Sequence, residues 1–191
     1  MKLYIYEDYK EIFPEHHGRK LTDMMIKKAL REHGITEAEI LRTEKGKPYV
    51  SIPGAVNGKN SSSQPDDGGD SALETKRDLV CNEIYISVSH SGRYFVCVIS
   101  DAPVGVDVQE ARSVKAMNIA GRYFTAEEIK YIEETGDEGF FLIWTRKEAY
   151  SKYTGLGLEE IMKGTDVLNR NDVKFTDFMM EKGIYCSCCT I

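Results

Sequence analysis

The segment Phe140-Phe-Leu-Ile-Trp144-Thr-Arg-Lys147-Glu148-Ala-Tyr-Ser-Lys152 predicts a helix that is apolar on every side and ends at Gly155. Such a helix is mostly buried, and its charged residues need partners because an unpaired buried charge is costly. Glu148 and Lys152 are one turn apart and can reach a common point. The pair is either an ordinary salt bridge, or a carboxylate and an ammonium that face a site for a metal ion and a polyanion.

The segment Val104-Gly-Val-Asp107-Val-Gln109, which precedes that helix, predicts a strand. Its valines point into the core, whereas Asp107 and Gln109 share the opposite face, where Gly105 leaves room beside the carboxylate. Two oxygen-bearing side chains on one strand edge suit a hard cation such as Mg²⁺. The alternative is a solvated strand face with an ordinary aspartate.

A hairpin is predicted before this strand. Apolar and polar residues alternate from Ile84, and after a turn the chain runs back as the buried strand Tyr94–Ile99. Its turn, Ser91-Gly92-Arg93, places the hydroxyls and imidazole of Ser89-His90-Ser91 beside exposed backbone. These groups are good donors to phosphate.

The flanking segments predict further helices and strands. In the first half, a helix capped by Thr22 or Asp23 is predicted to end at Gly34, and Tyr49–Ile52 is predicted to be extended. In the second half, Lys115–Phe124 is predicted to be helical, and Thr125-x-x-Glu128 is a capping box for a further helix that Gly136 ends. Residues 172–191 are predicted to form two strands. Each half of the chain therefore has a helix followed by a hairpin. This order predicts an α+β fold of two similar lobes, residues 1–100 and 101–191. Residues 57–78 are expected to be a mobile insertion in the first lobe, since residues 57–71 lack any apolar side chain.

The composition excludes several classes of protein. With 25 Lys and Arg against 31 Asp and Glu, the net charge is −6, which is unsuited to a surface that grips nucleic acid or an anionic membrane. No apolar run approaches the roughly 18 residues that a membrane span needs. The five cysteines lack the spacing of a zinc site and are expected to be reduced core residues, so a cytoplasmic location is predicted. The protein is also expected to be a monomer.

Five motifs in order resemble the surfactin-type (Sfp-type) 4'-phosphopantetheinyl transferases. They are Gly46-Lys47-Pro48, Ile86-Ser-Val-Ser89-His90-Ser91-Gly92, Val104-Gly-Val-Asp107, Arg122-Tyr-Phe124-Thr-Ala-Glu127-Glu128 and Trp144-Thr-Arg-Lys147-Glu148-Ala149-Tyr-Ser-Lys152. The combination of Gly-Val-Asp with Trp-x-x-Lys-Glu-Ala-x-x-x-Lys carries the resemblance. It implies a pseudo-twofold α+β fold with the active site between two lobes.

The resemblance also implies the reaction, which is Mg²⁺-dependent transfer of the phosphopantetheine arm of coenzyme A (CoA) to a serine of an apo carrier protein, with release of adenosine 3',5'-bisphosphate. Asp107 and Glu148 match the metal ligands, and Glu148 is also the expected base for the serine hydroxyl. Lys152 matches the lysine that meets the diphosphate and the leaving group. The residues expected to contact CoA are Arg19 or Lys20, Lys47, Pro48, Ser89, His90, Lys147 and Lys152.

Two features depart from the family pattern. Gln109 stands where relatives often have an acidic residue, so weaker metal binding is expected from the Asp107, Glu148 and Gln109 set. The match of Arg19 or Lys20 to the family's basic residue is ambiguous by one position.

The carrier proteins of the family present an acidic helix, so a basic or apolar patch is expected beside the site, with Arg112, Lys115, Arg122 and Lys130 as candidates.

Two other functions remain open at this point. A non-catalytic module that binds CoA or a nucleotide would keep Lys47, His90 and Lys147 but would not need Glu148. A Mg²⁺-dependent nuclease of the Asp…Glu-x-Lys type is disfavoured, since Lys152 follows Glu148 by four residues rather than two and the net charge is −6.

Overall fold

The structure of the protein is a computed structural model that describes residues 1–52, 84–159 and 164–191. Its strands are β1 (Lys2–Tyr6), β2 (Glu39–Arg42), β3 (Pro48–Ser51), β4 (Tyr85–Ser91), β5 (Tyr94–Ser100), β6 (Gly105–Glu110), β7 (Lys174–Glu181) and β8 (Ile184–Thr190). Its helices are α1 (Tyr9–Ile12), α2 (Gly18–Glu32), α3 (Ala116–Tyr123), α4 (Ala126–Thr135) and α5 (Asp137–Thr154). The chain is therefore a mixed fold of helices and strands, as predicted.

The first sheet contains the predicted hairpin, in the antiparallel order β1-β5-β4. Every residue of β5 is buried. Phe95, Cys97 and Ile99 pack against the apolar side of α2 on one face of the sheet. Val96 and Val98 point to the opposite face. A strand buried on both faces explains the continuous apolar run that the sequence shows there.

The second sheet has the antiparallel order β6-β8-β7. One of its faces packs against the first sheet through Val106, Val108 and two cysteines, Cys186 and Cys188. Helix α5 packs against β6 and β8. In both sheets the last strand in sequence is the central one and the first strand is an edge strand. Strands β2 and β3 form a separate antiparallel pair.

Several predicted element ends are confirmed, and others lie elsewhere. The capping box of Thr125 and Glu128 is present at the start of α4, and Gly136 follows its last residue. Helix α2, however, begins at Gly18, four residues before the predicted Thr22 cap, because burial of Leu21 extends it without a side-chain cap. Helix α5 begins at Asp137 rather than Phe140. Neither α1 nor β2 was predicted from the sequence.

Other sequence predictions concern residues of which the structure describes only a part. The proposed insertion at 57–78 and Cys81 lie outside the described residues. The other four cysteines are buried and unpaired, as predicted for reduced core residues. No helix in the described ranges is long and apolar enough to cross a membrane.

Candidate active site

Helix α5 lies directly against β6 at Gly105, where the strand has no side chain. A Cβ atom built on Gly105 would overlap the carbonyl oxygen of Ala149 and would lie 2.6 Å from the backbone nitrogen of Tyr153. The sequence led us to expect that Gly105 leaves room beside the carboxylate of Asp107. In the structure, backbone atoms of α5 fill that space. This close approach brings the residues of α5 that follow Lys147 beside the face of β6 that carries Asp107.

Asp107 is the residue on which the site converges. Its side chain is buried, and its Oδ1 accepts hydrogen bonds from Ser89 Oγ and Lys152 Nζ, both at 2.7 Å. Lys152 Nζ also donates to the carbonyl oxygen of Val106 at 3.0 Å. Elements β4, β6 and α5 thus each contribute one group to the contact. The alternative of an exposed, ordinary aspartate does not hold for Asp107.

Glu148 is half-buried on α5, one turn before Lys152. Burial is the main reason that its pKa is raised above the ordinary glutamate value, and the negative charge of Asp107 raises it further. The Lys152 ammonium acts in the opposite direction. Glu148 and Lys152 therefore both interact with Asp107, rather than forming only a surface pair with each other.

A cavity of about 250 Å³ lies beside Lys152, which donates to Asp107. It lies between the Lys45–Pro48 turn, strand β4 and the C-terminal end of α5, and its lining includes Lys47, Pro48 and Lys152. Lys47 Nζ donates to the carbonyl oxygen of Lys152. Burial lowers the pKa of Lys47. Lys47 and Lys152 therefore bring two amines to the same cavity, a chemistry that suits a phosphorylated ligand.

His90 lies near this group at the exposed end of β4. Its ring lies 5.7 Å from that of Tyr9 and stacks on Phe95 at 6.3 Å, measured between ring centroids. Partial burial, and then the positive charges of Lys152 and Lys10, lower the pKa of His90, while Asp107 opposes them. His90 is therefore within the electrostatic range of both Asp107 and Lys152.

Lys147 points away from Asp107, although it precedes Glu148 directly. Its side chain and that of Glu128 are each 0% exposed, and Lys147 Nζ pairs with Glu128 Oε2 at 2.9 Å. The same ammonium donates to the carbonyl oxygen of Thr165 at 2.5 Å and lies 5.2 Å from the ring centroid of Phe124. The structure thus gives Lys147 a buried partner on α4 and does not bring it to the cavity.

Arg19 and Lys20 are exposed in the first turn of α2, and among the described residues no hydrogen bond or ion pair joins them to Asp107 or Lys152. Several residues that line the cavity were not predicted as site residues from the sequence, among them Lys45 and Ser151. Lys45 donates to the carbonyl oxygen of Leu156 at 2.5 Å, and Ser151 lines the same cavity. No local pattern could have revealed Lys45, because this contact joins residues 111 positions apart.

The donor set around Asp107 fits a magnesium ion by its chemistry. Asp107 and Glu148 are carboxylates that interact electrostatically, and Gln109 adds an amide whose oxygen can ligate a cation. Mg²⁺ is typically held by one or two carboxylates together with phosphate oxygens and water. Gln109 donates its side-chain N–H to the Glu110 carbonyl at 3.0 Å. In the described ranges, no group of three or more His, Cys, Asp and Glu side chains is close enough to hold a metal ion.

Comparison with known proteins identifies relatives of the region that carries these residues. The family model of the 4'-phosphopantetheinyl transferase superfamily (ACPS) matches residues 103–188. The 4'-phosphopantetheinyl transferase psf-1 of Bacillus pumilus is 37% identical over 78 residues, which cover 39% of this chain and 33% of the relative. The 4'-phosphopantetheinyl transferase gsp of Aneurinibacillus migulanus is 27% identical over 135 residues, covering 62% of this chain and 56% of the relative.

A third relative, the 4'-phosphopantetheinyl transferase Sfp of Bacillus subtilis (strain 168), is 28% identical over 80 residues, which cover 40% of this chain and 35% of the relative. The chain thus spans between about a third and somewhat more than half of the length of these curated relatives. Residues 103–188, which the family model matches, contain Asp107, Glu148 and Lys152. Residues 103–188 thus match the model of the 4'-phosphopantetheinyl transferase superfamily, and the chain is similar to transferases of the Sfp type.

Proposed function

We propose that this protein is a 4'-phosphopantetheinyl transferase that moves the phosphopantetheine arm of CoA to a serine of an apo carrier protein and releases adenosine 3',5'-bisphosphate. The observation that carries the proposal is the convergence of Asp107, Glu148 and Lys152 beside the cavity that Lys47 also lines. Three curated relatives bear the name of this activity. The proposed fold is two similar lobes, which the equal strand order of the two sheets supports.

Glu148 is the proposed base for the attacking hydroxyl. The serine oxygen of the carrier forms a bond to the phosphorus atom that bears the pantetheine arm, and its proton passes to the Glu148 carboxylate. A carboxylate with a raised pKa holds a proton better than an ordinary glutamate, which favours this transfer. The nucleophile is supplied by the partner, so the enzyme needs no reactive serine of its own.

Lys152 is the proposed stabiliser of the leaving group. The bond that breaks joins the same phosphorus atom to the bridging oxygen of the diphosphate, and that oxygen leaves on adenosine 3',5'-bisphosphate. An ammonium close to that oxygen stabilises the developing charge or gives it a proton. Its hydrogen bonds to Asp107 and to the carbonyl oxygen of Val106 hold the ammonium in place beforehand.

Asp107 and Glu148, with a weaker contribution from Gln109, are the proposed Mg²⁺ ligands. When bound, the ion would neutralise charge on the diphosphate oxygens. Lys47, Pro48, Ser89 and His90 are the proposed CoA contacts near the cavity, and Arg19 or Lys20 is a further proposed contact outside its lining. The proposed CoA contacts omit Lys147, because Glu128 already holds its ammonium. We further propose that the protein acts as a cytoplasmic monomer.

The first test is intact-mass analysis of apo acyl and peptidyl carrier proteins incubated with this protein, CoA and Mg²⁺, with EDTA added to a control. A metal-dependent mass gain of one phosphopantetheine group is expected. Absence of any gain on either carrier, with CoA still bound, would favour the alternative of a non-catalytic CoA-binding module. Absence of CoA binding as well would contradict both functions.

The substitution Glu148→Gln distinguishes a transferase from a module that only binds CoA. The substitution removes the proposed base but keeps the size of the side chain, so transfer is expected to fall at least about 100-fold. CoA affinity, measured by calorimetric titration without metal, is expected to stay within about threefold of the unchanged protein, since the CoA contacts are elsewhere. Full transfer activity in this variant would contradict the role of Glu148.

A further inference from the structure

A row of three polar residues crosses the second sheet from edge to edge. Asp107 on β6 pairs with Ser187 on β8, and Ser187 pairs with Asp177 on β7. Residues directly opposite each other in paired strands project from the same face of the sheet. Helix α5 packs on this face, whereas the apolar neighbours Val106, Val108 and Cys186 form the other face.

The end of the row away from Asp107 is connected to α5 by a partly buried network of hydrogen bonds. Arg146 binds Asp177 through both of its carboxylate oxygens, with Nε at 3.1 Å from each and Nη2 at 2.6 Å from Oδ2. Ser187 Oγ donates to Asp177 Oδ1 at 2.7 Å and lies 2.9 Å from Thr145 Oγ1. Thr145 and Ser187 are 0% exposed. Asp177 therefore accepts hydrogen bonds from both a helix residue and a strand residue.

The opposite end of the same helix reaches Asp107. Thr145, Ala149 and Lys152 follow one side of α5 at helical spacing. Thr145 meets Ser187, Ala149 meets the backbone at Gly105, and Lys152 meets Asp107. Glu148 lies between Thr145 and Lys152 in the sequence of α5, and both of these residues contact the second sheet. The position of Glu148 relative to Asp107 therefore depends on how α5 lies on the sheet.

We propose that Asp177 is a positioning residue that, with Arg146, Ser187 and Thr145, fixes α5 on the second sheet and so sets Glu148 and Lys152 against Asp107. The catalytic consequence rests on the function proposed above. A displacement of about 1 Å of a catalytic group can cost about 100-fold in rate, so the network acts through geometry without touching substrate. The bidentate Arg146–Asp177 contact suits this role because it specifies direction as well as distance.

The experiment compares Asp177→Ala with a matched control, Asp23→Ala. Asp23 also binds an arginine, Arg42, and is 34% exposed against 21% for Asp177, but it lies on α2. At a temperature below the unfolding midpoint of both variants, Asp177→Ala is expected to lower kcat about 10- to 100-fold and to leave the Kd for CoA within about threefold. The control is expected to keep kcat within about twofold.

The conservative variant Asp177→Asn keeps an oxygen acceptor for Ser187 and Arg146, and its kcat is expected to lie between those of the unchanged protein and Asp177→Ala. Equal kcat values in the folded Asp177→Ala and Asp23→Ala variants would overturn the proposal. If Asp177→Ala does not fold, Thr145→Val and Ser187→Ala replace it, since each removes one hydroxyl and leaves the ion pair. A lowered kcat is expected in both, and unchanged kcat in both would overturn the proposal.

Two measurements that do not depend on catalysis test the role of Asp177 independently of the proposed function. Backbone hydrogen exchange in α5 is expected to be faster in Asp177→Ala than in Asp23→Ala, and the emission of Trp144, the single tryptophan of the chain, is expected to shift only in the former. If the unchanged protein transfers nothing, the proposed function fails while this comparison still decides the role of Asp177. Equal exchange and emission in the two variants would then contradict that role.

Discussion

The two carboxylates of the candidate site, Asp107 and Glu148, have different surroundings. Asp107 accepts hydrogen bonds from an ammonium and a hydroxyl, so its negative charge is compensated within the protein. Glu148 is also shielded from water, and its interaction with Asp107 is repulsive. Two acids in unlike environments can take different roles, and Glu148 is the one suited to accept a proton.

The first prediction concerns the titration of Glu148 in the metal-free protein. Its pKa is expected to lie above the ordinary glutamate value of 4.5, since burial and Asp107 both disfavour the charged form. Asp107→Asn removes a like charge and is expected to lower that pKa, whereas Lys152→Met removes a favourable cation and is expected to raise it. Carbon-13 NMR of labelled glutamate side chains measures all three, with the signal assigned by its loss in Glu148→Gln.

The sign of the effect on activity follows from the same titration. A base acts in its deprotonated form, so transfer is expected to fall as the pH decreases through the pKa of Glu148 and to be fully present above it. A Glu148 carboxyl that titrates at or below the ordinary glutamate value in the metal-free protein would contradict this account.

At the scale of elements, the contact between α5 and β6 depends on the missing side chain of Gly105. Gly105→Ala places a Cβ against helix backbone, which cannot give way as a flexible side chain can. Overpacking of this kind costs about 1–3 kcal/mol of unfolding free energy. Transfer is expected to fall as well, because α5 must move away from Asp107.

Gly121→Ala is the matched control for this prediction. Gly121 lies in α3, and a Cβ added there meets no atom within 4 Å. Alanine in a helix is more favourable than glycine by about 0.5–1 kcal/mol, so this substitution is expected to stabilise the protein. Urea denaturation measures both changes, and the prediction fails if they have the same sign.

The contact between α4 and α5 contains a buried ion pair with a structural role. Glu128 closes the capping box of α4, accepts from the backbone N–H of Val167 at 3.0 Å, and holds Lys147. Lys147→Met would leave Glu128 buried without its cation, which typically costs about 3–5 kcal/mol. A double variant, Glu128→Gln with Lys147→Met, leaves no buried charge and keeps one of the two oxygens that accept from the N–H groups of Thr125 and Val167. It is expected to be more stable than the single variant, because no unpaired charge is buried.

A measurement of CoA affinity complements that comparison of stability. In the double variant the Kd for CoA is expected to stay within about threefold of the unchanged protein, because Lys147 does not reach the cavity. Lys47→Met removes an amine that lines the cavity and is expected to weaken CoA binding at least about tenfold. Equal loss of affinity in the two proteins would restore Lys147 as a CoA contact.

The sequence predicted the elements whose signals are local. The period-2 alternation of β4, the Thr125–Glu128 capping box and Gly136 each act over a few residues, and the structure has them where expected. Lys147 and Glu148 are adjacent in sequence, yet one is enclosed by α4 and the other interacts with Asp107. A helix that is apolar on all sides does not show which face meets which neighbour, so this distinction needed the tertiary structure.

At the scale of the whole molecule, the net charge is −6, yet one segment contains several exposed basic residues. The segment from Arg112 to Lys130 exposes four basic side chains, Arg112, Lys115, Arg122 and Lys130. On α3, Met117 is 44% exposed and Tyr123 is 38% exposed. Basic groups beside exposed apolar ones suit an acidic amphipathic helix, the element that the proposed carrier protein is expected to present.

The last prediction compares two double charge reversals that change the net charge equally. Arg112→Glu with Arg122→Glu is expected to raise the KM for the carrier protein about 5- to 10-fold and to leave the KM for CoA unchanged, because charges at the rim of an interface mainly affect encounter. Lys27→Glu with Arg31→Glu reverses two exposed charges on α2 and is expected to change neither KM. The difference between the two proteins should shrink in high salt, which screens exposed charges. Equal KM values for the carrier in both double variants at low salt would contradict a role of Arg112 and Arg122 in docking, because two reversals of equal charge at different places would then have the same effect.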